Sequence, residues 1–279
     1  MDGHLNELRA FHASLMAAAS GSVDPRLARV FKLVPREAFL PPGPWKISGP
    51  DGRYYETPSD DPAYIYQNNI VALDASREIN NGEPFLHASW IGAVMLRPGE
   101  RVCHIGAGSG YYTAILSVLA APGGSVEAFE IDETLARAAR HNLEPYEGVS
   151  VTHANATEAD IPASDVIYVN AGVLAPPPAW LRALRPGGRL IFPWRPSEET
   201  GLAMLVTKLA SGKLRARPLA PAYFIPCTGG ASARDRLAAA PDAHAAATIR
   251  SIWLTSERTP DESAIAAYEH VWFSSLAVE

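Results

Sequence analysis

Three glycines at alternate positions, Gly106, Gly108 and Gly110, follow the apolar run RVCHI and precede a helix-like segment that begins at Tyr111. Glycine at such a strand-to-helix turn lets the backbone bend sharply and approach a ligand, since no Cβ intrudes. The amides at the start of the next helix can then face a polar or anionic group. Twenty residues beyond Gly110, Glu130 closes a second apolar run, EAFEI. A carboxylate there can accept both hydroxyls of a ribose. The nearby Asp132 fits better as the N-cap of the following helix.

The spacing narrows the ligand. A dinucleotide turn needs Gly or Ala for close helix packing at the position that Tyr111 holds. The G-x-G-x-G pattern therefore argues against NAD and for the sulfonium cofactor S-adenosylmethionine, which has no pyrophosphate to cradle. A second cluster lies upstream, in Ile79-Asn80-Asn81-Gly82-Glu83-Pro84. Asn80 and Asn81 can donate hydrogen bonds to a carboxylate, and Glu83 and His87, four apart, are candidate bases. The same Asn-Asn-Gly run equally suits a plain turn, and His87 equally suits a buried packing position.

The elements that must position these groups can be read from periodicity. Leu5, Leu8, Phe11, Leu15 and Met16 predict a helix, and Leu27, Val30, Phe31 and Val34 predict another, capped by Asp24 and closed by Pro35. A breaker-rich aromatic stretch follows, with Trp45, Tyr54, Tyr55, Tyr64 and Tyr66, read as an ordered connector or lid. From residue 84 onward, helices alternate with the strands RVCHI, SVEAFEI, VSVTHA, DVIYVNA and RLIFPW, which implies βαβ units and a parallel sheet. LAMLVTKL and AYFIPC are expected as late antiparallel strands. The Ala-rich tail is expected to hold a helix, a strand near 249–254 and a helix from Glu262.

Composition sets outer limits. The 279 residues are 47% hydrophobic and 19% charged, a globular composition rather than a disordered one. The 24 basic against 30 acidic residues, with no basic run, argue against a nucleic-acid partner held through phosphate neutralisation, and none is expected. Cys103 and Cys227 alone make neither a disulfide framework nor a zinc cluster, so no metal is expected. Neither a signal peptide nor a membrane-length apolar run is present, and the expected compartment is the cytoplasm.

The glycine turn and Glu130, together with VFKLVPREAFLPP, DVIYVNAGVLAPPPAWLRALRPGGRLIFPW and AYFIPC, resemble a class I S-adenosylmethionine-dependent methyltransferase. Within that class the chain is similar to the protein-L-isoaspartate O-methyltransferase family over about residues 30–227. The resemblance implies an α/β, Rossmann-like sheet, mostly parallel with a late antiparallel strand and helices on both faces. The chain is expected to divide into a helical cap and connector (1–78), a cofactor-binding core (79–228) and a C-terminal extension (229–279) beyond the resemblance, which is a candidate dimerisation element, substrate-recognition addition or packing helix.

The resemblance also implies roles. His104, Gly106, Ala107, Gly108 and Gly110 would wrap the methionine and ribose part of the cofactor, and Glu130, next to Ile131, would hold the ribose; Tyr112 either lines the cofactor cleft or only packs. Asn155 and Ala156 would lie beside adenine, with Asn155 where the family has Asp, and Asn170 would lie near the transferred methyl group. Position 104 is commonly an acid in the family. The family's acceptor loop reads approximately Gln-Thr-Ile-Ser-x-Pro, so Gly82 stands in the place of its serine.

From that departure the acceptor is expected to be a carboxylate of a peptide or small metabolite, not necessarily isoaspartate. The alternatives are an N- or O-methyltransferase using Glu83 or His87 as base, and a non-catalytic S-adenosylmethionine-binding protein.

Overall fold

The computed structural model describes residues 2–228 and 240–279. The chain opens with α1 (Asp2–Ala19) and α2 (Arg26–Leu33), then four short strands, β1 (Lys46–Ser48), β2 (Tyr54–Glu56), β3 (Ala72–Asp74) and β4 (Ile79–Asn80). Alternation begins with α3 (Pro84–Val94), β5 (Arg101–Ile105), α4 (Tyr111–Ala120), β6 (Ser125–Glu130), α5 (Glu133–Leu143) and β7 (Val149–His153). Next come β8 (Ser164–Val169), α6 (Pro178–Ala183), β9 (Leu184–Trp194), β10 (Leu202–Lys208) and β11 (Leu214–Pro221). The last elements are α7 (Ala243–Ala247), β12 (Ser251–Leu254), β13 (Ala264–Ala267) and β14 (Val271–Ser274).

Local chemistry explains where these helices begin. Asp24 Oδ1 accepts the Arg26 N–H at 2.9 Å as α2 starts, and Val34 turns extended ahead of Pro35. Leu27, Val30 and Phe31 form the buried face of α2. Asp132 caps α5 by accepting the Leu135 N–H at 2.9 Å, which satisfies one of the amides that a helix start leaves unpaired.

The chain groups into two compact units, one within Met1–Gly99 and Ala107–His153, the other within Glu100–Gly106 and Ala154–Glu279. In the first, α1 packs on α2 and α3, α2 meets α4, and α5 lies along the parallel pair β6–β7. In the second, the strands run in the order β13-β14-β12-β11-β10-β9-β8-β5. Here β5, β8 and β9 are parallel, and the antiparallel part comprises five strands, β10 to β14. Val166, Ile167 and Tyr168 on β8 and Leu190, Ile191 and Phe192 on β9 are all fully buried, as strands covered on both faces require. The fold is the α/β methyltransferase type.

Three expectations are corrected. AYFIPC does not form a strand: its one pairing is an isolated bridge from Pro226 to Gly172. The strand lies just before it, as β11, whose Pro218 and Pro221 are residues that normally argue against a sheet interior. The helix from Glu262 is also absent, and β13 and β14 stand there. Val271, Trp272 and Phe273 suit a pleated surface and pair with β12, Trp272 opposite Trp253. The expected Ala-rich helix falls partly outside the described residues; within them, only α7 is helical in that stretch.

Candidate active site

The first unit carries most of the glycine turn. Gly108 and Gly110 both have left-handed backbones, with φ of 57° and 99°. A Cβ on Gly110 would come within 2.9 Å of Leu143 on α5, so glycine there also permits the helix to pack. The Gly108 N–H donates to Glu130 Oε2 at 2.7 Å, and the Asp132 N–H donates to Oε1 at 2.9 Å. Asn142 donates to the Ser109 carbonyl at 3.0 Å. The turn is thereby fixed to the end of β6 through one carboxylate.

Glu130 is buried, and burial pushes its pKa upward against the backbone N–H groups that favour its charge. Each oxygen retains a lone pair, so the group fits a ligand offering two hydroxyls. Ile131, next to it, is 45% exposed, and Tyr112 is buried.

The second unit carries the other residues expected at the cofactor. Gly106 has φ of 78°, and its missing Cβ would meet Asn170 Cβ at 3.4 Å. Asn170 Nδ2 lies 2.9 Å from His104 Nε2. Burial pulls the His104 pKa down to about 3, so the ring is neutral near neutral pH and Nε2 accepts from the amide. Asn170 Oδ1 is then a buried acceptor with no partner, suited to a donor on a ligand. Asn155, expected beside adenine, has its amide engaged within its own turn. Its Oδ1 already accepts from the Thr157 N–H (3.1 Å) and hydroxyl (2.8 Å), while Nδ2 donates to Glu158 at 3.0 Å. Ala156 is buried, and its carbonyl accepts from the Trp180 indole at 2.9 Å.

The residues expected at the acceptor lie in the first unit. The Asn81 N–H donates to the Val71 carbonyl at 3.0 Å, and the Gly82 N–H to Asn80 Oδ1 at 2.9 Å. Asn80 Nδ2 donates to the Glu78 carbonyl at 3.2 Å. Asn81 is buried: its Oδ1 accepts from Arg36 Nη2 at 3.1 Å, and its Nδ2 has no partner. Glu83 accepts from Asn68 Nδ2, while Asn68 Oδ1 accepts the Phe85 N–H at 2.8 Å and caps α3. His87 is buried and stacks on Tyr112 with centroids 3.8 Å apart.

Arg36 and Asn68 were not expected as site residues. Their partners are distant in sequence; Arg36 lies within the VFKLVPREAFLPP motif, but nothing in that motif gives it a role at the site, and no local pattern marks Asn68. Among the described residues no cluster of His, Cys, Asp or Glu is placed to hold a metal ion, and no helix is long and apolar enough to cross a membrane.

Comparison with known proteins places the chain in a family. The model of the protein-L-isoaspartate(D-aspartate) O-methyltransferase family matches residues 50–232. Protein-L-isoaspartate O-methyltransferase 1 of Cupriavidus necator is 30% identical over 223 residues, 78% of each chain. The protein-L-isoaspartate O-methyltransferase of Methylorubrum populi is 32% identical over 221 residues, 77% of this chain and 92% of that one. A solved protein-L-isoaspartate O-methyltransferase superposes with a TM-score of 0.67 at 25% identity, covering 79% of this chain and 66% of the other. A Plasmodium falciparum structure in complex with S-adenosyl-L-homocysteine agrees in fold, with a TM-score of 0.63 at 17% identity over 79% of this chain and 98% of that one.

Both curated relatives are named for isoaspartate, so the departure at residues 80–82 does not support an altered acceptor. With the fold, the glycine turn and Glu130 in place, the chain is an S-adenosylmethionine-dependent methyltransferase and belongs to the protein-L-isoaspartate(D-aspartate) O-methyltransferase family.

Proposed function

We propose that the protein esterifies the free carboxylate of L-isoaspartyl residues in peptides or proteins. The observation that carries this reading is the family match over residues 50–232, which takes in the acceptor loop as well as the cofactor turn. The cofactor supplies an electrophilic methyl group on a sulfonium centre. Glu130 and the Gly108 turn hold the ribose, and Gly106, Ala107, Gly110, Ile131, Tyr112, His104, Ala156 and Asn170 serve the rest of the cofactor. Asn155, its amide engaged by Thr157 and Glu158, shapes the turn beside adenine rather than bonding it.

A carboxylate is already ionised near neutral pH, so the chain needs no general base. Its work is to place one acceptor oxygen in line with the methyl group and to exclude water. Asn81, with its unpartnered Nδ2, is the better placed donor toward that carboxylate. Asn80 already donates to Glu78. The Glu83 carboxylate is engaged by Asn68, which favours this reading over one that uses Glu83 as base. Residues 1–78 form the cap of this machinery, residues 229–279 its C-terminal extension, and the cytoplasm is its compartment.

The test is transfer of labelled methyl to an L-isoaspartyl peptide and to its L-aspartyl counterpart. The expected product is a base-labile ester on the first alone. Cofactor binding by calorimetry without transfer to either peptide would overturn the proposal.

A further inference from the structure

Arg36 is wholly buried, and among the described residues it forms no ion pair. Its guanidinium donates to four neutral acceptors: the carbonyls of Ile65, Gln67 (3.2 Å) and Asn69 (2.6 Å), and Asn81 Oδ1 (3.1 Å). Carbonyl dipoles solvate a cation but leave its charge uncompensated, and a buried charge without a counter-ion is costly. The surroundings repeat the imbalance. Arg36 Nε, Asn81 Nδ2 and the hydroxyls of Tyr111 and Tyr112 are all buried without a partner. Both tyrosines feel the Arg36 charge, yet burial keeps them protonated, so they remain neutral groups able to donate. One small region beside the acceptor loop thus holds a cation and several donors; the carboxylates its tyrosines face, Glu37 and Glu83, are engaged by Arg9 and Tyr66 and by Asn68, and among the described residues neither pairs with Arg36.

Resting on the carboxyl-methylation reading, we infer that Arg36 is a positioning residue whose unpaired charge, delivered at Asn81, selects an anionic carboxylate as the methyl acceptor. Arg36 fixes Asn81 through Oδ1 and leaves Nδ2 as the donor. The missing counter-ion is the acceptor's own carboxylate, so a neutral or cationic acceptor gains nothing from the site. A cation kept only to tie the 65–69 segment to residue 81 has no such preference.

Asn81→Asp separates the two roles. It keeps the oxygen that Arg36 holds, changes little in size, and places a permanent counter-ion beside the guanidinium. The expected variant is folded, melts at a higher temperature than wild type and binds cofactor as before. Its KM for the isoaspartyl peptide rises by about tenfold or more, with a smaller change in kcat.

Calorimetry with the isoaspartyl peptide and its uncharged isoasparaginyl counterpart reads the same selection without turnover. Wild type prefers the charged peptide, and Asn81→Asp loses that preference. A folded variant with unchanged KM and unchanged preference overturns the inference. So does a variant that melts lower or fails to fold, because the charge would then already be compensated. Wild type that shows the preference but transfers no methyl would overturn the functional reading alone.

Discussion

Gly82 and His87 share one space: a Cβ on residue 82 would lie 2.3 Å from His87 Nε2. The imidazole has little freedom to yield, since it is buried and stacked on Tyr112, and Gly82 holds φ of 78°. Gly82→Ser is therefore expected to destabilise the fold by about 2–4 kcal/mol, from left-handed strain and overpacking together. Adding His87→Ala relieves the clash but not the strain and should recover about half of the loss. Urea denaturation of both variants measures this. Unchanged stability in Gly82→Ser would mean that the imidazole moves aside.

Cofactor affinity should depend on pH through Glu130. Its pKa is raised by burial, while hydroxyls that donate to it favour the ionised form. Protons therefore compete with the cofactor, and affinity falls as pH falls, starting above the usual glutamate range. Calorimetric titrations with S-adenosylhomocysteine across pH should show that decline. Glu130→Gln should bind about tenfold more weakly, with a flat profile. A Gln variant that binds as wild type does would remove Glu130 from the cofactor site.

Two buried histidines make the fold sensitive to acid. Burial lowers the His12 pKa to about 4 and the His104 pKa to about 3, from 6.5. The unfolded chain thus binds more protons between 6.5 and those values, and stability is lost as pH falls through that window. Each ring contributes at most about 1.4 kcal/mol per pH unit. Glu130 works in the opposite sense, because its raised pKa favours the folded state as it protonates. Denaturant midpoints against pH should slope downward toward acid, less steeply in His12→Phe.

Arg26 ties several segment ends together. Its guanidinium donates to the carbonyls of Leu119 (3.0 Å) and Leu96 and forks onto Asp24. A cation at the end of α4 also suits that helix's dipole. Arg26→Met should cost about 1–2 kcal/mol, and Lys should restore less than half, since one ammonium cannot span these acceptors. Thermal melting decides between the variants.

What the chain declared locally was readable. Strand, glycines and helix over 101–120 are neighbours in sequence, and Asp132 is marked as a cap by its place before α5. Glu130 was legible for the same reason, although its two backbone donors were not. Arg36 and Asn68 are not legible as site residues because their partners lie 45 and 17 residues away. No periodicity encodes such distances. β11 was hidden by its prolines, and β13 by alanines that favour helix until pairing with β14 decides otherwise. Glycine at 82, where the family pattern has serine, has its physical reason in the His87 ring beside it, which no local pattern in the sequence announces.

The Asn81–Gly82 step also bears on how this protein ages. Asparagine before glycine is the dipeptide most prone to cyclise, lose ammonia and reopen as aspartyl or isoaspartyl, because no side chain shields the attacking amide nitrogen. In the fold that nitrogen is committed to Asn80, and the Asn81 amide oxygen is held by Arg36. Native structure therefore delays a reaction that the unfolded chain would undergo freely. Time spent unfolded would leave damage of the kind the enzyme is proposed to methylate, lodged in its own acceptor loop.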